Sequence, residues 1–305
     1  MRTLSTEFRE EIKTTVALAK AQTIITKGNV YQEGDARLIP ILDKMAESLI
    51  LPGSCVDGME NLERLLEMAE SGKSCLLLLE HYSNLDLTIF SLLVKKAGGR
   101  GGDITDALIA IAGAKLNEDN PIVAAFASAY TRIVIYPSSY LKGLAPEVKK
   151  AEVVRGLSIN RAAMKALEER KSQGKLVLIF PAGTRYRPWD PSTKKGVREI
   201  DSYIKSFDYM CCVALNGDIL QVNQTDMMND VVSEDVVRIT AGPVRSCSEF
   251  REKVHADFDR HSGFDGAEKD LNSDDRKQAV VDAVMAELET LHDEAEKKRK
   301  PESKP

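Results

Sequence analysis

Ser74-Cys75-Leu76-Leu77-Leu78-Leu79-Glu80-His81-Tyr82-Ser83-Asn84-Leu85-Asp86 passes from five consecutive apolar residues into a polar segment, and a helix-like pattern over 85–97 follows it. An apolar run this short suits a strand buried on both faces better than a helix. The alternation then repeats. Runs at 107–112 and 132–136 precede helical patterns at 121–130 and 158–171, and a further run covers 175–180. Short runs rich in Val, Ile and Leu between longer amphipathic stretches predict an α/β fold with a mixed, mostly parallel sheet flanked by helices. Runs at 210–215 and 236–241 add strands at a mixed edge. A closing helix over 274–298 turns Val280, Val281, Val284, Leu288 and Leu291 inward.

Upstream of Gly72 the chain reads as helical. A rough stripe over 7–25 carries Phe8, Ile12, Val16, Ala19 and Ile24. A second stretch holds Ile39, Leu42, Met45, Leu49 and Ile50 before Pro52-Gly53, and a third holds Leu62, Leu65, Leu66 and Ala69. No strand-like alternation is visible there. The expected organisation is a small N-terminal helical subdomain over 1–72, an α/β domain over 73–298 and a charged tail over 299–305.

Composition narrows the class. The 305 residues are 43% hydrophobic and 29% charged, normal for a globular protein and long enough for a sizeable core. A net charge of −5 argues against a general nucleic-acid-binding role. The longest plain apolar run, 75–79, is far short of a membrane span, and the N-terminus lacks a signal-peptide core. Five cysteines without a C-x-x-C pair point to a reducing compartment, with Cys211-Cys212 in the core. A soluble cytoplasmic protein is expected.

Several motifs fail on their own terms. Gly72-Lys73-Ser74 resembles the end of a phosphate-binding loop, but Glu67 stands where that loop needs Gly, and the tripeptide opens a strand rather than a helix. Gly98-Gly99-Arg100-Gly101-Gly102 reads as a helix stop. The segment 255–261, with His255, Asp257, Asp259 and His261, has metal-ligand residue types but no further clustered His, so no metal site is assigned. Asp270, Asn272 and Asp274 begin like a calcium loop, yet Asp275 replaces its Gly and Val281 its closing Glu. Capping by Ser273 or Asp274 explains that stretch better.

Two polar segments remain, each at the end of a buried strand, where open α/β sheets place their sites. In the first, His81 follows the strand directly. Ser83 or Asn84 is expected to cap the next helix, and Asp86 falls in its first turn. The bend lets Asp86 reach one imidazole nitrogen and leaves the other to take a proton. In the second, Phe180-Pro181-Ala182-Gly183-Thr184-Arg185-Tyr186-Arg187-Pro188 puts two arginines at i and i+2. If extended, both guanidinium groups point one way and can grip a phosphate dianion.

Together the segments resemble the H-x4-D and F-P-x-G-T-R blocks of the glycerolipid acyltransferase superfamily, in the same order. The likeness extends to the soluble, chloroplast-type glycerol-3-phosphate acyltransferases. Arg185-Tyr186-Arg187-Pro188 leads into Asp190-Pro191-Ser192-Thr193 as in that family, Arg132-Ile133-Val134-Ile135-Tyr136 is similar to its middle strand, and Arg161-Ala162-Ala163-Met164 occupies the place of the helix before the second block. Loosely, it covers most of the chain from residue 74 onward.

The resemblance implies that His81 is a general base for the sn-1 hydroxyl of glycerol 3-phosphate and that Asp86 orients it. Arg185 and Arg187 match the phosphate-binding arginines. Lys115, after its strand, is placed to help, and Pro181, Gly183 and Thr184 complete the motif. The substrate hydroxyl attacks an acyl thioester of acyl carrier protein or coenzyme A, so no further cofactor is expected. Ala182 replaces a Glu common in membrane-bound relatives. More consequentially, Ser139 and Tyr140 stand where the soluble branch carries a Lys-His pair. Either Lys142 compensates or the acceptor differs, which keeps lysophosphatidate open. An idle lipid-binding member of the fold is the alternative from another class, and the C-terminal basic cluster is an expected point of weak contact with acidic headgroups.

Overall fold

A computed structural model describes residues 2–19, 24–118, 120–261 and 274–299. The chain opens with α1 (Leu4–Glu7), α2 (Arg9–Leu18), the short strand β1 (Tyr31–Gln32), α3 (Ile39–Glu47), β2 (Cys55–Asp57) and α4 (Met59–Glu70). The alternating part follows as β3 (Cys75–Leu79), α5 (Asp86–Ala97), α6 (Gly101–Ala107), β4 (Leu108–Gly113), α7 (Ala114–Glu118), α8 (Pro121–Ala127), β5 (Arg132–Ile135), α9 (Pro146–Arg170) and β6 (Leu176–Ile179). Then come α10 (Ile200–Ser206), β7 (Tyr209–Asn216), β8 (Leu220–Gln221), β9 (Val231–Val232), β10 (Arg238–Ala241), β11 (Arg245–Ser246), α11 (Cys247–His261) and α12 (Asp274–Arg299).

The main sheet runs β1-β5-β4-β6-β3-β7-β10-β2, with β11 also on β7. Strands β5, β4, β6, β3 and β7 are mutually parallel. Strand β10 returns antiparallel to β7, β2 lies parallel on β10, and β1 closes the other edge antiparallel to β5. The expected α/β class, with its mixed and mostly parallel sheet behind an N-terminal helical region, is the fold observed.

Period-two geometry sends alternate residues of each central strand to opposite faces. Cys75, Leu77 and Leu79 of β3, with Leu176 and Leu178 of β6, join a core containing Leu42, Leu65, Phe90 and Val94 from α3, α4 and α5. Leu76, Leu78, Val177 and Ile179 join a second core with Ile159, Ala163, Ile204, Val280, Val284 and Leu288 from α9, α10 and α12. Cys211 and Cys212 divide between the two faces. Burial pushes the Cys211 thiol up to about 12 and Cys212 well above the ordinary range, so both behave as small core hydrophobes.

Some expectations change. The N-terminal helical region contributes edge strands β1 and β2, whose two or three half-buried residues are too short to show alternation. The stripe expected over 7–25 forms α2, which ends at Leu18, and Ile25 is buried in the second core outside any helix. Helix α9 begins at Pro146, twelve residues before the periodic pattern. Arg299, expected in a loose tail, is bound to Glu296 and Asp235 with its side chain 6% exposed. Residues 300–305 of the expected tail lie outside the described residues.

Candidate active site

Parallel pairing of β3 with β6, Leu78 opposite Ile179, brings the ends of both polar segments together. The polypeptide joins them directly: the Tyr186 amide donates to the His81 carbonyl at 2.9 Å. The His81 ring stacks on Phe180 with centroids 4.0 Å apart and planes at 19°.

Asp86 lies 1% exposed at the start of α5, and its Oδ2 is 2.8 Å from His81 Nδ1. The same carboxylate accepts from the Tyr82 amide at 2.6 Å, the Ser83 amide at 2.9 and 3.0 Å, and the Ser83 hydroxyl at 2.6 Å. This crowd of donors fixes the carboxylate and assigns the Nδ1 proton to the bond with it, leaving Nε2 as the acceptor. The helix cap differs from expectation. Leu85 is the cap residue with no side-chain bond, and Ser83 instead spends its hydroxyl on Asp86 while accepting from the Leu85 amide at 3.1 Å. Asp86 faces back from the first turn and accepts from the Tyr82 and Ser83 amides, which lie before the helix.

The second segment begins with a turn in which the Gly183 amide donates to the Phe180 carbonyl at 2.9 Å. Gly183 has φ +66, in the left-handed region, and a Cβ there would sit 3.2 Å from Val197 Cγ1. Pro181 is buried, its carbonyl accepting from the Val197 amide, and Thr184 is half-buried beyond the turn. The two arginines are not equivalent. Arg185 Nη1 donates to Asp230 Oδ2 at 2.8 Å, and Asp230 is fully buried. Burial raises the Asp230 carboxyl above its ordinary range against the lowering influence of the Asn223 amide and Arg185. Arg187 is exposed, with no side-chain partner among the described residues. Its amide donates to Thr193 Oγ1 at 2.8 Å, and Asp190 sits opposite it in an isolated bridge. The extended-chain expectation of two parallel guanidiniums gives way to one anchored and one free.

Lys115 is the second residue of α7, just after β4, with its Nζ 4.7 Å from the Tyr140 ring centroid. Tyr140 also meets Tyr136 edge-on at 5.4 Å. Lys142 is exposed just beyond the short turn Ser138–Leu141, whose Ser138 hydroxyl bonds Glu199 at 2.7 Å. Neither lysine lines the cleft beside His81.

That cleft has a volume of about 260 Å³. His81, Tyr82, Tyr186 and Thr193 border it, and α12 closes the far side with Met285, Ala286 and Glu289. Its cations are Lys194, ion-paired with Glu289 at 3.2 Å, and Lys195. Sequence reasoning missed these two, although they follow the arginine segment by less than ten residues. It also missed Glu80 and His292: His292 Nδ1 lies 2.9 Å from Glu80 Oε2, beside His81 at the end of β3. A glutamate adjoining the candidate base was the available signal, but its partner is 212 residues away.

Among the described residues no three potential metal ligands converge. Asp259 pairs with Arg276, Asp257 with Arg260, and burial lowers the His255 imidazole below its ordinary range. Asp274 pairs with Arg198. The His261 side chain, Asp270, Asn272 and Ser273 lie outside the described residues.

No helix among the described residues is long and apolar enough to cross a membrane. No curated protein matches the chain. The sequence model of the acyltransferase family matches residues 54–210, just over half of the chain, from the strand before α4 into β7. That span contains both strand-end segments and the backbone bond between them, and the chain therefore belongs to the acyltransferase family, as an O-acyltransferase of the glycerolipid kind.

Proposed function

We propose that the chain is a glycerol-3-phosphate 1-O-acyltransferase. The observation that carries this reading is the His81–Asp86 pair at the border of the cleft, bonded through the Tyr186 amide to the arginine segment. In this reading His81 Nε2 takes the proton of the sn-1 hydroxyl as its oxygen attacks the thioester carbonyl carbon. Asp86 holds the ring in place and stabilises the imidazolium that forms. The tetrahedral intermediate collapses by breaking the carbon–sulfur bond, and His81 returns the proton to the leaving thiolate. The acceptor's own hydroxyl is the nucleophile, so the reading calls for no cofactor beyond the thioester, carried by acyl carrier protein or coenzyme A.

The acceptor phosphate goes to Arg187 and to the N–H donors that Arg185 does not spend on Asp230, with Lys115 and Lys142 as further cations. The acyl chain takes the apolar side of the cleft, along Leu79, Met285, Ala286 and Leu288. His81→Ala is expected to lower kcat by roughly 10²–10⁴-fold. Unchanged turnover in that variant sinks the base assignment. If Arg185→Ala leaves the acceptor KM unaltered, the phosphate role fails.

The alternative acceptor is lysophosphatidate, which carries the same phosphate monoester on a larger, acylated body. Tyr140, at the position of the expected basic pair, is a packed ring whose hydroxyl would lie 2.3 Å from a Cβ built on Gly113. It supplies no cation to the phosphate of either acceptor. A transfer assay pairing both acceptors with both donors separates the readings, and turnover with none of the four pairs would point to an idle lipid-binding protein.

A further inference from the structure

The residues flanking His81 carry interactions that the chemistry of acyl transfer does not use. His81 faces Asp86 and Phe180, whereas Glu80 and Tyr82 reach α12. Glu80 is 7% exposed, and its carboxylate accepts from the Leu215 amide, the Tyr82 hydroxyl and His292 Nδ1, each at 2.9 Å. The Tyr82 hydroxyl lies 3.3 Å from the same imidazole nitrogen. On its other side, the His292 carbonyl accepts from Asn216 Nδ2 at 3.0 Å, which pins this turn of α12 to the end of β7.

Tyr82 is the junction. Its side chain joins the Glu80–His292 group, its amide holds Asp86 Oδ2 at 2.6 Å, and its ring meets Tyr186 edge-on at 6.0 Å. A shift of Tyr82 therefore moves a donor of the carboxylate that orients the base. The same α12 supplies Met285, Ala286 and Glu289 to the cleft wall.

We propose that Glu80, Tyr82 and His292 are positioning residues for acyl transfer, a polar clamp through which the last helix of the chain holds the loop carrying His81 and Asp86 in register with the cleft. The inference rests on His81 being the base. A buried carboxylate is tolerated only with good partners, and a charged imidazole is the strongest of the three that Glu80 has. The groups facing His292 are Glu80 and Tyr82 from the catalytic loop, Lys194 from the segment after the arginines, and Glu296 one turn along α12. Burial opposes charge on His292, but the bond and charge of Glu80, aided by Glu296 and opposed by Lys194, raise it above the ordinary imidazole range. The clamp is thus tightest when His292 is charged and slackens as the pH climbs.

The test is steady-state kinetics across pH on the full chain, well below the unfolding temperature. His292→Ala is expected to lower kcat on the order of tenfold, as misplacement of a catalytic group does, with acceptor KM changed less than about twofold. In the wild type, kcat falls at alkaline pH. In His292→Gln, which keeps a donor for Glu80 but cannot titrate, that alkaline fall disappears while most activity is kept. Should His292→Ala fail to fold, Tyr82→Phe removes only the hydroxyl and is expected to lower kcat in the same direction. Wild-type kcat and pH profile in His292→Gln and Tyr82→Phe, with only the melting temperature reduced, overturn the proposal and leave a purely structural contact. Activity surviving in His81→Ala overturns the base instead, a separate result.

Discussion

Asp86 shows how much one side chain can be asked to do. Its two oxygens receive two backbone amides, a serine hydroxyl and an imidazole N–H, with almost no solvent contact. In Asp86→Asn either amide orientation turns an NH₂ toward the Tyr82 or Ser83 N–H groups. Loss of stability of about 1–3 kcal/mol is expected beside the loss of kcat, and thermal melts read alongside turnover check both. The His-x4-Asp spacing made the pair visible in the sequence, because residue types and a short bend are local facts. Ser83 as the partner of Asp86, rather than a helix cap, was not visible, because both roles suit a serine at that position. Arg185 makes the opposite case. Asp230 lies 45 residues on and nothing local announces it. Asp230→Asn is expected to raise the acceptor KM with kcat nearly unchanged, since the guanidinium loses the charge that aims it, and an unaltered KM refutes that role.

At the scale of elements, close approach decides what the period cannot. Gly156 sits in α9 where a Cβ would come 2.8 Å from Tyr136 Cδ1. The tyrosine cannot yield easily, since its amide and carbonyl bond Asn160 and its hydroxyl bonds Glu152. Gly→Ala in a helix interior ordinarily stabilises by roughly 0.5–1 kcal/mol. Here Gly156→Ala is expected to destabilise by about 1–3 kcal/mol, as overpacking does, and a rise in melting temperature refutes it. The docking of α12 adds a pH dependence whose sign follows from His292. Its folded value is raised, so its contribution is fully present below the unfolded imidazole value and is lost as pH rises through the folded one. Melting temperatures of wild type and His292→Gln should therefore converge toward the alkaline end of a series between about pH 5 and 9. A difference constant across that series rules the ion pair out as its cause.

For the whole molecule, α12 is as much core as active-site wall. Val280, Val281, Val284 and Leu288 are buried on the second face of the sheet. At roughly 1.5–3 kcal/mol for each, removing them forfeits an amount comparable with a typical domain's entire stability of about 5–15 kcal/mol. A chain truncated before residue 274 is expected to lose its cooperative thermal transition, and a retained one overturns this. The buried strands, the α/β class, the closing helix and both strand-end segments could be read from the amino-acid sequence, because each depends on side-chain period or residue type within a few positions. What only the tertiary structure decided is adjacency. The pairing of β3 with β6 brings His81 beside the arginine segment, Asp230 claims Arg185, two short N-terminal strands close the sheet edges, and Glu80 finds His292. These contacts depend on crossover connections and burial summed over the whole chain, which no local pattern of residues encodes.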